Sequence, residues 1–568
     1  MKLALGMTLA AAAFAQAPHR HPPADASLRA LSLPAPVKIA GVGNSHLSIA
    51  TNSPEAQRWF DQGLSLLHCF WDFEALRALE ESARLDPDCA MCQWGVYQAI
   101  EMRGGYDAER KAARKRMEEL APKASDRERR YIHAVTAREE AKEDGKREAY
   151  THAMEALVYA YPDDIDARLF LALSLESGFD EKDEPRSGTL YAQSILRDLM
   201  RRYPESAAAH HYWIHAVESS PHPEWAIASA EKLAALAPGS GHMVHMPGHI
   251  FYRTGDYERA RQSFLAAMRV DEAYMASQKL TARDDWNYYH NISYMIANSA
   301  EEGRRSEALE LAARLKPLAY DERENPNFYI LQIAGTEARL YIRFGDWERV
   351  KGRPVEFGAS EDKLPAYASA YRDGLGVYAG GMEALEKGDT ATAETQADKL
   401  DALLWRISRE KEGAEEKKDA GDAAAEAMKY GTSSVVKLLS VASKELRGNV
   451  ESRENHFDRA RELLTEAAKD EKKLGYAEPP RYSRPALESL GYACIRAGKF
   501  GDAREAFNKV LAERPKSGFG YYGIALAWEK EGKRAEAATA YGAFLEAWKY
   551  ADRDLPQTLH AAQAGAGK

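Results

Sequence analysis

Half of the chain's sixteen histidines fall between residues 210 and 290, and their spacing is that of metal ligands. His211 and His215 stand at i and i+4, and the same doublet recurs as His245 and His249, with His242 ahead of it and His290 beyond. Two imidazoles so spaced on one helix face can clasp a single ion, and neutral imidazole is a common ligand for copper, zinc and iron. Glu218 follows on the same stripe as a third ligand, as an acceptor that orients an imidazole N–H, or as a general base. Six histidines exceed the need of one ion, so one or two transition-metal ions are expected. Copper is favoured because it stands highest in the affinity order for nitrogen sites. That ion points to a copper-dependent oxidase or oxygenase; zinc or iron would give metal-assisted hydrolysis with Glu218 as base.

The elements that must carry these residues are helices repeated at a fixed period. Gly498, Ala503 and Phe507 recur as Gly532, Ala537 and Tyr541, and the interval, about 34 residues, is also the one that separates the two histidine doublets. Small residues let two helices approach closely, an aromatic fills the gap between successive pairs, and proline starts the break. With Leu490-Gly491 and Pro515 this pattern resembles the tetratricopeptide repeat, and Trp59, Gly63, Ala75 and Pro87 show the same set near the N-terminus. The resemblance implies an all-α, TPR-like α-solenoid, a superhelix of roughly ten to twelve antiparallel helix pairs. It also implies that the stripe of His211, His215 and Glu218, and its neighbour of His242, His245 and His249, face a concave groove. Tyr212, Trp213 and Tyr289 are expected to line that pocket. Pro247 falls between His245 and His249 and cannot donate to the Met243 carbonyl, so the helix is expected to kink or start there. The stretch around His211 to Gly255 and the later Tyr476-Ala477-Glu478-Pro479-Pro480 resemble blocks of uncharacterised exported bacterial tetratricopeptide proteins.

Six histidines with no cysteine among them exclude zinc-finger and blue-copper sites. A formal charge of −10 without a basic run argues against nucleic acid. A polar groove also suits a competing class, a non-catalytic scaffold that takes a peptide or protein; in either case the partner is a small molecule or peptide. Residues 1–15 read as a cleavable signal peptide and 16–45 as a flexible leader, which places the mature chain in the periplasm or outside the cell with no transmembrane segment. Repeats are then expected over 46–205, over 206–320 with the histidine cluster, over 321–408 and over 476–551. A charged helical segment spans 409–475 and a tail 552–568. Cys89 and Cys92 form a C-x-x-C read as a local disulfide or two buried thiols. Glu101 and Glu176 are acidic lining or solvated surface, and His68 is an isolated structural or exposed residue.

Overall fold

The computed structural model describes residues 35–103, 107–282, 285–315, 329–352, 355, 357, 364–416 and 423–566. The expected signal peptide and most of the leader lie outside them. Every regular element among the described residues is helical, apart from one isolated bridge between Phe179 and Pro185. They fall into two compact units, one up to Ala237 and one from Pro238 onward.

The first unit runs α1 (Pro54–His68), α2 (Asp72–Leu85), α3 (Ala90–Arg103), α4 (Asp107–Leu120), α5 (Asp126–Glu140), α6 (Lys146–Ala160), α7 (Ile165–Leu175), α8 (Thr189–Arg202), α9 (Ala207–Glu218) and α10 (Ile227–Leu236). The second opens with α11 (Gly241–Arg253), α12 (Tyr257–Gln278), α13 (Trp286–Glu301), α14 (Arg305–Leu315), a π-helical turn (Tyr329–Ala334), α15 (Thr336–Phe344) and α16 (Trp347–Gly352). It continues through α17 (Ala366–Glu386), α18 (Thr390–Glu416), α19 (Ala423–Arg453), α20 (Phe457–Lys472), α21 (Ala486–Arg496), α22 (Phe500–Glu513), α23 (Gly518–Lys530), α24 (Arg534–Ala547) and α25 (Pro556–Ala566). Consecutive helices joined by short turns must run antiparallel, so each unit is a succession of helical hairpins.

One packing device repeats. Leu79 on α2 wedges against Gly63 on α1 and Gly95 on α3, and Phe507 on α22 wedges against Gly491 on α21 and Gly523 on α23; a Cβ at any of the four glycines would overlap the wedge. The interval along the chain from glycine to wedge is the same in all four contacts, and the pairs Gly248–Phe264 and Gly448–Leu464 keep it. Glycine is therefore required where two helices and a large side chain share one crossing. This is the tetratricopeptide register expressed as contact.

Three local expectations meet a definite outcome. Residues 35–45, expected to be loose, are docked on α1 where the structure describes them: Ile39 N donates to Gln62 Oε1 at 3.1 Å and Gln62 Nε2 to Val37 O at 3.0 Å. Val42 is buried and its carbonyl accepts from Cys69 Sγ at 3.1 Å, so an apolar anchor overrides the proline-rich composition. Cys89 and Cys92 form a disulfide, while Cys69 and Cys494 are buried outside it. Within 409–475 the chain is carried by α18, α19 and α20, and residues 417–422 lie outside the described ones.

Candidate metal centre

Helix α9 starts at Ala207 because Ser206 caps it, its side chain accepting from Ala209 N. One face of this helix then presents His211, His215 and Glu218, all buried. His211 Nδ1 donates to the backbone carbonyl of His68 at 2.6 Å, and His215 Nδ1 meets Glu218 Oε1 at 2.7 Å. A carbonyl can only accept, so the proton of His211 sits on Nδ1; the Glu218 carboxylate holds the proton of His215 on Nδ1 likewise. Both Nε2 atoms then carry lone pairs, and they face each other at 3.0 Å. Burial pushes the His215 imidazole down to about 3, which keeps it neutral near pH 7. Two lone pairs so close in a low-dielectric site repel unless a cation lies between them.

The turn after α1 covers this pair. Phe70 packs its ring 4.7 Å from His211 and 5.3 Å from His215, and it holds a φ of 56° to do so. A bulky residue in the left-handed region is strained, and such strain concentrates at functional positions. His68 is neither isolated nor exposed: Nδ1 meets the Tyr212 hydroxyl at 2.9 Å and Nε2 meets Asp166 at 3.0 Å, fixing the turn whose carbonyl orients His211. Tyr212 thus belongs to the support of the pair. Trp213, one residue further around the helix, donates its indole N–H to the Trp225 carbonyl at 3.2 Å and packs against Arg197.

In the second unit α11 begins at Gly241, capped by Ser240, and runs through Pro247 to Arg253. The proline therefore does not start the helix, and its missing N–H is one lost bond inside a continuous element. His245 Nε2 and His249 Nε2 face each other at 2.5 Å, the arrangement of the first pair reproduced one repeat on. His290, on α13, completes a triad whose three ligand atoms lie within 4.8 Å of one another. An ion with ligand bonds of about 2.0–2.1 Å places its nitrogen donors about 3–4 Å apart, so this spread suits one ion.

A carboxylate also reaches the triad: Glu478 Oε1 lies 3.7 Å from His249 Nδ1, and Oε2 lies 3.7 Å from His290 Nε2. Reasoning from the repeat does not reach Glu478, which sits in the irregular segment after α20; the recurrent block Tyr476–Pro480 was its only sequence signal. Tyr294 closes the site with its ring 4.3 Å from His249 and 5.4 Å from His245. His242 stands beside the triad, 6.1 Å from His245 between ring centres. Its Nδ1 meets Asn287 Oδ1 at 3.2 Å, and Asn287 donates to Asp271 at 3.0 Å. Burial, then the neighbouring Asp285 charge, pushes the Asp271 carboxyl well above the usual range. Tyr289 packs beside Tyr288.

The remaining acidic and histidine residues are accounted for more simply. Glu101 pairs with Arg110 at 3.0 Å and Arg138 at 3.3 Å, and Glu176 caps α7. His456 groups with Glu451 and Glu454, but it and Glu454 are exposed.

No protein-family model and no curated sequence matches this chain. Solved structures similar to it include yeast Tom70, with 13% identity over 90% of this chain and 95% of that one at a TM-score of 0.30. Another is the human IFIT1 dimer with m7Gppp-AAAA, with 11% identity over 89% and 92% at a TM-score of 0.32. The P58(IPK) TPR domain shares 14% identity over 71% of this chain and 97% of that one at a TM-score of 0.20. The repeat assignment rests on the hairpins and their glycine–wedge register: the chain is an all-α protein of tetratricopeptide-like repeats carrying two buried histidine groups.

Proposed function

We propose that this protein binds transition-metal ions through its repeats. His245, His249 and His290 with Glu478 hold one ion, and His211 and His215, oriented by Glu218 and the His68 carbonyl, offer a second pair of donors. The observation that carries this reading is the repeated meeting of two buried Nε2 atoms, at 3.0 Å in one repeat and 2.5 Å in the next. His242 remains a candidate ligand, its ring oriented at Nδ1 by Asn287 and through it by Asp271. Copper remains the favoured ion by affinity order, with oxidation as its reaction class; zinc or iron, with hydrolysis, is the alternative. A peptide-binding groove lined by these residues would need them at an open surface, and all six histidines are buried.

An exported location accords with the Cys89–Cys92 disulfide, since such bonds persist in oxidising compartments. No helix among the described residues is long and apolar enough to cross a membrane. The test is elemental analysis of the untagged, metal-reconstituted chain beside its His245→Ala/His249→Ala variant. One or two bound ions in the parent and at least one fewer in the variant are expected; a parent that holds no metal sinks the reading.

A further inference from the structure

The second unit holds a cleft of about 500 Å³, mouth included, lined in part by the segments that carry the candidate ligands. Tyr252 stands at i+3 from His249, Ser293 at i+3 from His290, and Pro479 directly follows Glu478; all three line the cleft. Residues three apart share a helix face, so the cleft and the triad occupy successive turns of α11 and α13.

The charged groups of the lining are engaged with the protein itself. Arg514 donates to Glu301 Oε1 at 2.8 Å and to the carbonyls of Tyr482 and Ser483 at 2.9 and 3.2 Å. Arg343 donates to Glu301 at 3.2 Å and to Glu488 at 2.9 Å. Arg339 donates to the Leu331 carbonyl and, at 3.1 Å, to Thr336 Oγ1. Glu301 also accepts from Ser517 Oγ at 2.7 Å. An ion entering the cleft would shed its hydration and find each of these groups already committed, which favours an uncharged occupant.

One polar group of the lining points to what that occupant carries. Ser293 is 4% exposed, and its hydroxyl has no hydrogen-bond partner. A buried hydroxyl donor is stable when an acceptor meets it, and an oxygen of a molecule in the cleft would be one. Much of the remaining wall is apolar or aromatic: Ile296, Leu340, Pro480, Tyr252, and Tyr482, whose own hydroxyl donates to Glu445 Oε2 at 2.6 Å. Apolar walls with one placed polar group are the usual make-up of a small-molecule pocket.

Resting on the metal reading above, we propose that this cleft is the substrate pocket of that centre and takes a small uncharged carbonyl compound with an apolar body. Its carbonyl oxygen accepts from the Ser293 hydroxyl, and its body lies against Ile296, Leu340 and Pro480. The probes are acetophenone and its anionic counterpart benzoate, titrated calorimetrically into the full chain in copper-loaded and chelator-stripped forms. Acetophenone is expected to bind at least about tenfold tighter, because benzoate must surrender its hydration. Ser293→Ala should weaken acetophenone about three- to tenfold, the increment of one neutral hydrogen bond. It deletes a hydroxyl that has no partner in the empty protein, so the melting temperature should stay at that of the parent. Saturating acetophenone should also shift the visible absorption of the copper-loaded chain. Benzoate binding as tightly as acetophenone, no binding of acetophenone to either form, undiminished binding to Ser293→Ala, or a clearly lower melting temperature of that variant overturns the proposal. An unmoved absorption band in a saturated, loaded chain separates the cleft from the centre and overturns the substrate assignment. An acetophenone preference in a chain that never holds metal refutes the metal reading and leaves the cleft as a carbonyl site; a loaded centre without the preference refutes the cleft alone.

Discussion

Removing the Glu218 carboxylate while keeping its shape isolates what that group does for the first histidine pair. In Glu218→Gln the 2.7 Å contact to His215 Nδ1 loses its charge, and nothing then fixes the proton on Nδ1 or holds Nε2 towards His211. Charge-assisted hydrogen bonds between buried groups contribute about 1.5–3 kcal/mol, and outer carboxylates that orient histidine ligands typically change metal affinity about 10–100-fold. The two estimates agree, because a factor of 10–100 is about 1.4–2.7 kcal/mol. Competition against a chelator of known affinity at pH 7.5 should therefore show one class of ion weakened about 10–100-fold. The ion held by His245, His249 and His290 should be untouched. The variant must keep the parent's helical content. An affinity within twofold of the parent for every bound ion would refute the assignment of Glu218 as an orienting group, and with it the claim that the first pair binds metal.

Gly248→Ala places a methyl group into the Phe264 ring and should cost about 1–3 kcal/mol in urea unfolding, as overpacked cores do. An unchanged midpoint would mean that the wedge is not tight. Arg343→Met leaves Glu301 and Glu488 buried with one cation fewer and should cost about 3–5 kcal/mol, read from the same unfolding curves. Burial pushes the Glu471 carboxyl up to about 8, above its unfolded value of about 4.3. The folded chain thus holds an extra proton between those values, so this contribution to stability is present below about pH 4 and is lost as pH rises through about 8. Glu471→Gln should flatten the decline of the melting temperature between pH 5 and 8, and a parallel decline would contradict the assignment.

The repeat was legible because its contacts are local. The two histidine doublets recur at the repeat interval, and the structure puts them at matching places on α9, which starts at Ala207, and α11, which starts at Gly241. The residues between His249 and His290 are carried by α12, of 22 residues, and the segment after it. What pattern reading missed does not repeat. Glu478 comes from an irregular segment remote in sequence, and His68 acts through its carbonyl, which its side-chain type does not reveal. Of the two outcomes expected at Pro247, a start is excluded, because the helix is capped at Ser240 and passes through the proline with one donor missing.

Phe264 lies in the same register as the other wedges, yet the partners beyond Gly248 are different in kind. Where the interval calls for a second glycine the chain has Leu280, and the ring rests instead 5.1 Å from Tyr294 and 4.9 Å from His245. In a repeat array stability is close to a sum of hairpin terms and nearest-neighbour couplings, so a wedge is where one hairpin senses the order of the next. Here that coupling passes through an imidazole of the candidate triad. An ion that fixes His245 would stiffen the stacking of α12 on α13, and amide exchange along Tyr257–Gln278 would slow on loading although no residue of that helix is a ligand.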